Sequence, residues 1–151
     1  LEGMPSFIVP ASDGRIVLGN RDIVRAMGKD GSGQVDVARL PMPAHNRTND
    51  ATVDAQGRLW LGTMDDNEEL ETGALYCLDR GDLHAMPAKA IVTNGPAVTD
   101  DARTLYFVDS AGRRIWRYAI VDGPSIGSPE LFVELEIVGF PVGMELAGGT
   151  V

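Results

Sequence analysis

A turn followed by an apolar strand occurs three times in this chain, and that repetition limits the fold more than any single residue does. The copies are Asp13-Gly14-Arg15-Ile16-Val17-Leu18-Gly19, then Gly57-Arg58-Leu59-Trp60-Leu61-Gly62, then Arg103-Thr104-Leu105-Tyr106-Phe107-Val108. Arg15, Arg58 and Arg103 stand about 43 and about 45 residues apart, within the range of propeller repeats. A second apolar run follows each copy (Ile23 to Met27, Ala74 to Leu78, Ile115 to Ala119), and a third closes the unit (Val35 to Leu40, Ala88 to Val92, Leu131 to Val133). With the short runs ahead of the turns (Ser6 to Val9, Ala51 to Val53, Pro96 to Val98), each unit holds four strands. Four antiparallel strands in a repeat of this length make one blade of a β-propeller. No segment keeps the three-and-four spacing of an amphipathic helix, so the reading is all-β.

The units predict blades over about residues 4–45, 46–93 and 94–138, with the remnant of a fourth over 139–151 and inner strands starting near Met4, Asn49 and Gly95. Glycine and proline (18 and 9 residues) punctuate the strands at turns such as Asp13-Gly14 and Gln56-Gly57. Three blades are too few to close a ring, since propellers use roughly four to eight. An open array leaves strand edges and faces that invite pairing. Closure by a homodimer of two three-blade chains is therefore one expectation.

A net charge of −9, with Lys29 and Lys89 the only lysines, excludes the usual electrostatic footprint of nucleic-acid binding. The apolar runs fall far short of the ~20 residues of a membrane-spanning helix. The lone cysteine, Cys77, offers no disulfide framework. With no leader visible at Leu1, a cytoplasmic home is the expectation.

Arg47-Thr48-Asn49-Asp50 places a guanidinium, an amide and a carboxylate immediately ahead of the second turn-plus-strand unit, and Thr93-Asn94-Gly95 repeats the arrangement one blade later. Polar groups held at the end of a rigid strand are where sites are built. Asn49 and Asn94 lie about 45 residues apart, one repeat, so both are expected at the same corner of successive blades. Plainer readings stand beside this one. Asn94-Gly95 is also a tight-turn dipeptide, Arg47 can pair with Asp50 or Asp54 on a solvated surface, and Asp65-Asp66-Asn67-Glu68-Glu69 suits a solvated loop better than an EF-hand.

The ordered motifs Arg47-Thr48-Asn49-Asp50, Val53-Asp54, Gly57-Arg58-Leu59-Trp60, Gly62-Thr63-Met64, Gly73-Ala74-Leu75-Tyr76, Asn94-Gly95, Thr104-Leu105-Tyr106 and Asp109-Ser110 resemble those of the senescence marker protein/regucalcin and gluconolactonase family. The resemblance runs from about Ser6 to Gly143, but over only about half of the family's six-bladed ring. It implies metal-dependent hydrolysis of sugar lactones. The ion would be Ca²⁺ first, with Zn²⁺ or Mn²⁺ as alternatives, held by a glutamate, an asparagine and an aspartate from separate blades. Carried over by motif, Asn94 matches the metal-binding asparagine, and Arg47 and Asn49 match the pair that hydrogen-bonds the sugar hydroxyls.

The chain departs from the pattern at both ends of the resemblance. Glu2-Gly3-Met4 stands about one blade ahead of Arg47, where the family's Glu-Gly-Pro lies two blades ahead, and Pro141-Val142-Gly143-Met144 has valine in place of the aspartate ligand. Weak divalent-ion binding and low turnover by this chain alone are the expectations, with a non-catalytic binding protein as the alternative.

Overall fold

The computed structural model of the chain describes residues 3–136, 139, 141, 143 and 144. Glu2 and Val142, and with them most of the expected fourth-blade remnant, lie outside the described residues. The described residues contain strands and turns and no α-helix.

Three antiparallel sheets follow one another along the chain. The first holds β1 (Pro5–Pro10), β2 (Ile16–Asn20), β3 (Ile23–Met27) and β4 (Val35–Arg39) in sequential order. The second holds β5 (Asn46–Val53), β6 (Leu59–Asp65), β7 (Gly73–Asp79) and β8 (Asp82–Ala90) in the same order. The third holds β9 (Thr93–Val98), β10 (Thr104–Asp109), β11 (Arg114–Asp122) and β13 (Glu130–Glu134), with the two-residue β12 (Ser125–Ile126) as a fifth strand also paired to β11. The sequence did not mark β12, because Ser125-Ile126 is too short to show an alternation.

The inner strands β1, β5 and β9 lie side by side, so the sheets pack face to face as blades. The middle blade shows how the sequence drives this. β6 is buried along its whole length, which is why it reads as a continuous apolar run rather than an alternation. Its side chains still point alternately to two faces. Leu59 and Leu61 join Phe7, Val24 and Leu40 of the first blade. Trp60, with no exposed surface, joins Leu105, Phe107 and Tyr118 of the third. Cys77 sits in the latter cluster, and burial pushes its thiol up to about 12.

Two close approaches lock the seams. Thr48 of β5 packs over Gly19 of β2, and Thr93 of β9 packs over Gly62 of β6. A Cβ at Gly62 would overlap the Thr93 hydroxyl, and one at Gly19 would overlap both Phe7 and Thr48. Only a missing side chain allows neighbouring blades this near.

Several boundaries differ from expectation. The first inner strand starts at Pro5, one residue after the expected Met4, while the other two start earlier than expected, at Asn46 and Thr93, so Arg47, Asn49 and Asp50 lie within β5 rather than ahead of it. The closing strand of the middle blade runs Asp82–Ala90, not Ala88 to Val92, because a tight hairpin pairs Asp79 with Asp82 directly. Arg103 is not the backbone equivalent of Arg58. Asp54 N–H closes its turn on the Arg58 carbonyl, whereas Thr99 N–H reaches the Thr104 carbonyl, one residue further on. The turns themselves begin 43 (Ala11 to Asp54) and 45 (Asp54 to Thr99) residues apart, so the wider second spacing arises within the middle blade and not in the third turn.

Candidate functional site

Each inner strand carries one extra residue near its start. β5 pairs Thr48 with Thr63 and Ala51 with Leu61, leaving Asn49 and Asp50 together opposite Gly62. β9 pairs Asn94 with Val108 and Ala97 with Tyr106, leaving Gly95 and Pro96 opposite Phe107. Such bulges re-aim side chains that a regular strand would send elsewhere. Gly95 sits at φ +70°, in the region where a side chain is strained, so the glycine of Asn94-Gly95 serves a bulge inside β9 and not a tight turn.

The bulges bring Arg47, Asn49 and Asn94 together on a cavity of about 320 Å³ that Met64, Val92, Glu68 and Ser110 also line. Arg47 Nη1 donates to Asn49 Oδ1 at 2.8 Å and to the Thr48 carbonyl at 3.0 Å. Asn49 Nδ2 crosses the seam, donating to the Thr93 carbonyl at 2.7 Å and to Asn94 Oδ1 at 3.2 Å. Asn94 Nδ2 donates to Ser110 Oγ at 2.7 Å. Behind Arg47, Asp66 lies 3.5 Å from Arg47 Nε and accepts from Arg21 Nη2 at 2.7 Å, so one carboxylate holds two arginines. The partner of Arg47 is thus Asp66, not Asp50 or Asp54.

Asp50 is committed elsewhere. Oδ1 accepts from Ala51 N–H at 2.9 Å and Oδ2 from Gly95 N–H at 3.1 Å, which ties the bulge of one blade to the bulge of the next. Burial raises its carboxyl above the ordinary carboxylate range, and the two backbone bonds only partly offset this. Asp65 is likewise a loop pin, accepting from Glu69 N–H at 3.0 Å and Leu70 N–H at 3.1 Å. A larger cleft of about 410 Å³, lined by Val9, Pro10, Val17, Val53 and Leu59, opens at the far ends of the same strands. Its lining is mostly apolar, so the polar cavity is the candidate.

Counting donors and acceptors shows what the cavity has left to offer. Both N–H groups of Asn49 are used, leaving it a spare lone pair on Oδ1. Asn94 keeps one N–H and one Oδ1 lone pair. Arg47 keeps unassigned guanidinium N–H groups. This set suits a neutral polyhydroxylated ligand or a carbonyl oxygen. It suits a hard divalent ion poorly: Asn94 brings one neutral oxygen, Asp50 is occupied, and no three His, Cys, Asp or Glu side chains gather around a common point among the described residues. The described residues therefore do not make a metal site by themselves.

From the sequence, Ser110 was only part of a motif and Asp66 and Glu68 only part of a solvated loop, none of them with a role at the site. Ser110 had a readable signal, since Val108-Asp109-Ser110 occupies the place in its repeat that Gly62-Thr63-Met64 occupies one blade earlier, and Met64 lines the same cavity. Glu68, at φ +59°, and Asp66 sit in the irregular β6–β7 loop, where no periodicity announces a direction.

Sheets of this order, packed blade on blade about a polar corner, define the β-propeller class. Residues 1–144 match the SMP-30/Gluconolactonase/LRE-like region, and the chain belongs to that family. It is 33% identical over 101 residues to pentonolactonase XacC of Haloferax volcanii, covering 65% of this chain and 34% of that protein. It is 30% identical over 109 residues to the 6-deoxy-6-sulfogluconolactonase of Pseudomonas putida, covering 70% and 38%. Among solved structures, the calcium-binding protein regucalcin of Agrobacterium tumefaciens superposes with a TM-score of 0.86 at 26% identity, over 96% of this chain and 50% of that one. The chain thus spans roughly a third of the matched curated relatives and half of the matched structure.

Proposed function

We propose that the polar cavity binds a sugar lactone and that the chain carries part of a lactone-hydrolysing site. The observation that supports this most is the convergence of Arg47, Asn49 and Asn94 on one cavity, with their remaining hydrogen-bonding capacity turned into it. Arg47 donates to sugar hydroxyls or to the ring carbonyl, where a fixed cation favours the charge that builds on oxygen as the ester opens. Asn94 offers both an acceptor and a donor, which matches the dual character of a hydroxyl. Asn49 acts more as a strut between blades than as a donor to the sugar, because both its N–H groups are spent.

A divalent ion, Ca²⁺ before Zn²⁺ or Mn²⁺, belongs to this reading only as a weak ligand of Asn94, since hard ions take roughly six to eight oxygens in the case of Ca²⁺. A cytoplasmic home is part of this proposal. The test is acid release from aldonolactones by the 151-residue chain, with Arg47→Met and Asn94→Ala as variants. Turnover lost in both supports the reading. Lactone binding that survives without turnover assigns the chain to a non-catalytic binding role, and lactone binding unchanged in both variants overturns the site.

A second reading concerns assembly and rests on the outer faces of the terminal blades. Ile8 on the first is 67% exposed. Phe132 on the third is 50% exposed and meets Tyr106 edge-on at 5.0 Å. Tyr106 stands at the repeat position of Trp60, which a neighbouring blade seals completely. Apolar area left in water forfeits about 25 cal/mol per Å², and two copies related by a two-fold axis would cover both faces and close a ring. Light scattering decides it: a monodisperse monomer at tens of micromolar rejects the dimer.

A further inference from the structure

The hydrogen bonds that cross the site form one directed chain. It starts at Arg47, which only donates, and its last acceptor is the Pro141 carbonyl, which only accepts. Arg47 Nη1 gives to Asn49 Oδ1, so the Asn49 amide must turn its NH₂ toward the third blade, where it meets Asn94 Oδ1. Asn94 must then turn its own NH₂ away, toward Ser110 Oγ. Having accepted that bond, the Ser110 hydroxyl spends its one hydrogen on the Pro141 carbonyl. Read from either end, the same polarity results. Asparagine amides are nearly symmetric in shape, so packing alone does not choose which end faces a ligand.

We infer that Ser110 is a positioning residue for Asn94: its hydroxyl holds the Asn94 amide with the NH₂ turned to Ser110, away from Asn49, and leaves the spare oxygen lone pair for the cavity. The inference rests on the reading of Asn94 as a site residue. Ser110 is suited to this. It is 2% exposed, it lies at the end of β10 against the inner strand that carries Asn94, and it has one acceptor and one donor engaged in opposite directions. Alanine in its place removes the acceptor that the Asn94 NH₂ requires. The amide is then held only from the Asn49 side, with its NH₂ left without the partner that fixed its other end. The Pro141 bond also ties the segment after the third blade to this orientation, and Met144 of that segment lies close to Gly95, the residue after Asn94.

The experiment is side-chain amide NMR on the full chain, with the Asn94 NH₂ signals assigned by their loss in Asn94→Ala. In Ser110→Ala the Asn94 NH₂ signals are expected to shift and to exchange with water roughly tenfold faster, the scale of one lost net hydrogen bond. The Asn49 signals should follow, while the backbone spectrum of the distant β3–β4 hairpin stays in place. Ser110→Thr keeps the hydroxyl and is expected to restore the slow exchange. Should it fold poorly for want of space, Ser110→Cys, with its weak donor and acceptor, is expected to fall between the two. Unchanged Asn94 signals in Ser110→Ala overturn the inference. Lactone binding separates this from failure of the site itself. If Asn94→Ala abolishes binding and Ser110→Ala alters neither binding nor the amide signals, the site stands and the positioning role falls. If Ser110→Ala moves the signals while Asn94→Ala leaves binding untouched, the positioning stands and the site assignment falls.

Discussion

The turns at Arg15 and Arg58 are built from the same Gly-Arg dipeptide, with the same backbone closure, and differ almost entirely in what covers them. Ala11 N–H reaches the Arg15 carbonyl and Asp54 N–H reaches the Arg58 carbonyl, each at 3.0 Å, with Gly14 and Gly57 both at positive φ. Arg58 is 3% exposed: it pairs with Asp54 at 2.6 Å, reaches the Gly123 carbonyl of the third blade, and lies 5.5 Å over the Trp60 ring. Trp60 Nε1 donates to the same carboxylate at 2.9 Å. Arg15 pairs with Asp13 at 2.8 Å in open solvent. An ion pair in water contributes little, whereas a buried one cannot lose a partner without stranding a charge. One motif therefore serves as a turn in the first blade and as an inter-blade clamp in the second.

The comparison breaks first at Arg58. Arg58→Ala leaves Asp54 buried without its cation and is expected to cost about 3–5 kcal/mol in urea denaturation. A loss as small as that of Arg15→Ala would show that the clamp is not energetically coupled. Trp60→Phe removes the bond to Asp54 and with it the five-membered ring of a fully buried indole. The hydrogen bond accounts for about 1.5–3 kcal/mol, the cavity adds to the loss, and the hydrogen-bond share should diminish in an Arg58→Ala background if the three residues act as a unit.

Acid sharpens the contrast with a sign. Burial pushes the Asp54 carboxyl up, but bonds from Trp60, from the Arg58 backbone and side chain and from Gln56 outweigh it and hold Asp54 below its ordinary 3.8. The stability it contributes is present above that value and is lost as pH falls through the lower, folded-state value. Burial leaves Asp50 and Asp109 above 3.8, so their contributions run the other way and are lost as pH rises through their folded-state values. Asp54→Asn is therefore expected to destabilise the chain at neutral pH and to flatten the acid limb of its stability profile. An unchanged acid limb would contradict the clamp. The smallest effect belongs to Arg15→Ala, where thermal melting should show no resolvable change.

The site carries the same lesson as the turns. Arg47, Asn49 and Asn94 were legible because the repeat places them one blade apart and because the motif run resembles a family that uses those positions. Ser110 was legible only as part of a motif without a role. Asp66 and Glu68 were not legible, because an irregular loop has no period from which to read a direction.

The sequence by itself determined the all-β repeat, the strand-turn alternation and the residue types at the polar corner. These follow from side-chain periodicity and turn chemistry, which act over a few residues. Only the tertiary structure decided that Arg58 is buried and Arg15 is not, that Asn49 spends its donors on the neighbouring blade, and that Asp66 rather than Asp54 holds Arg47. The first two depend on residues of the neighbouring blade, 65 and 44 positions away in the chain, and the third on an irregular loop 19 positions on. The cost of burying a charge or a donor is set by its surroundings, and a local sequence pattern carries no record of them.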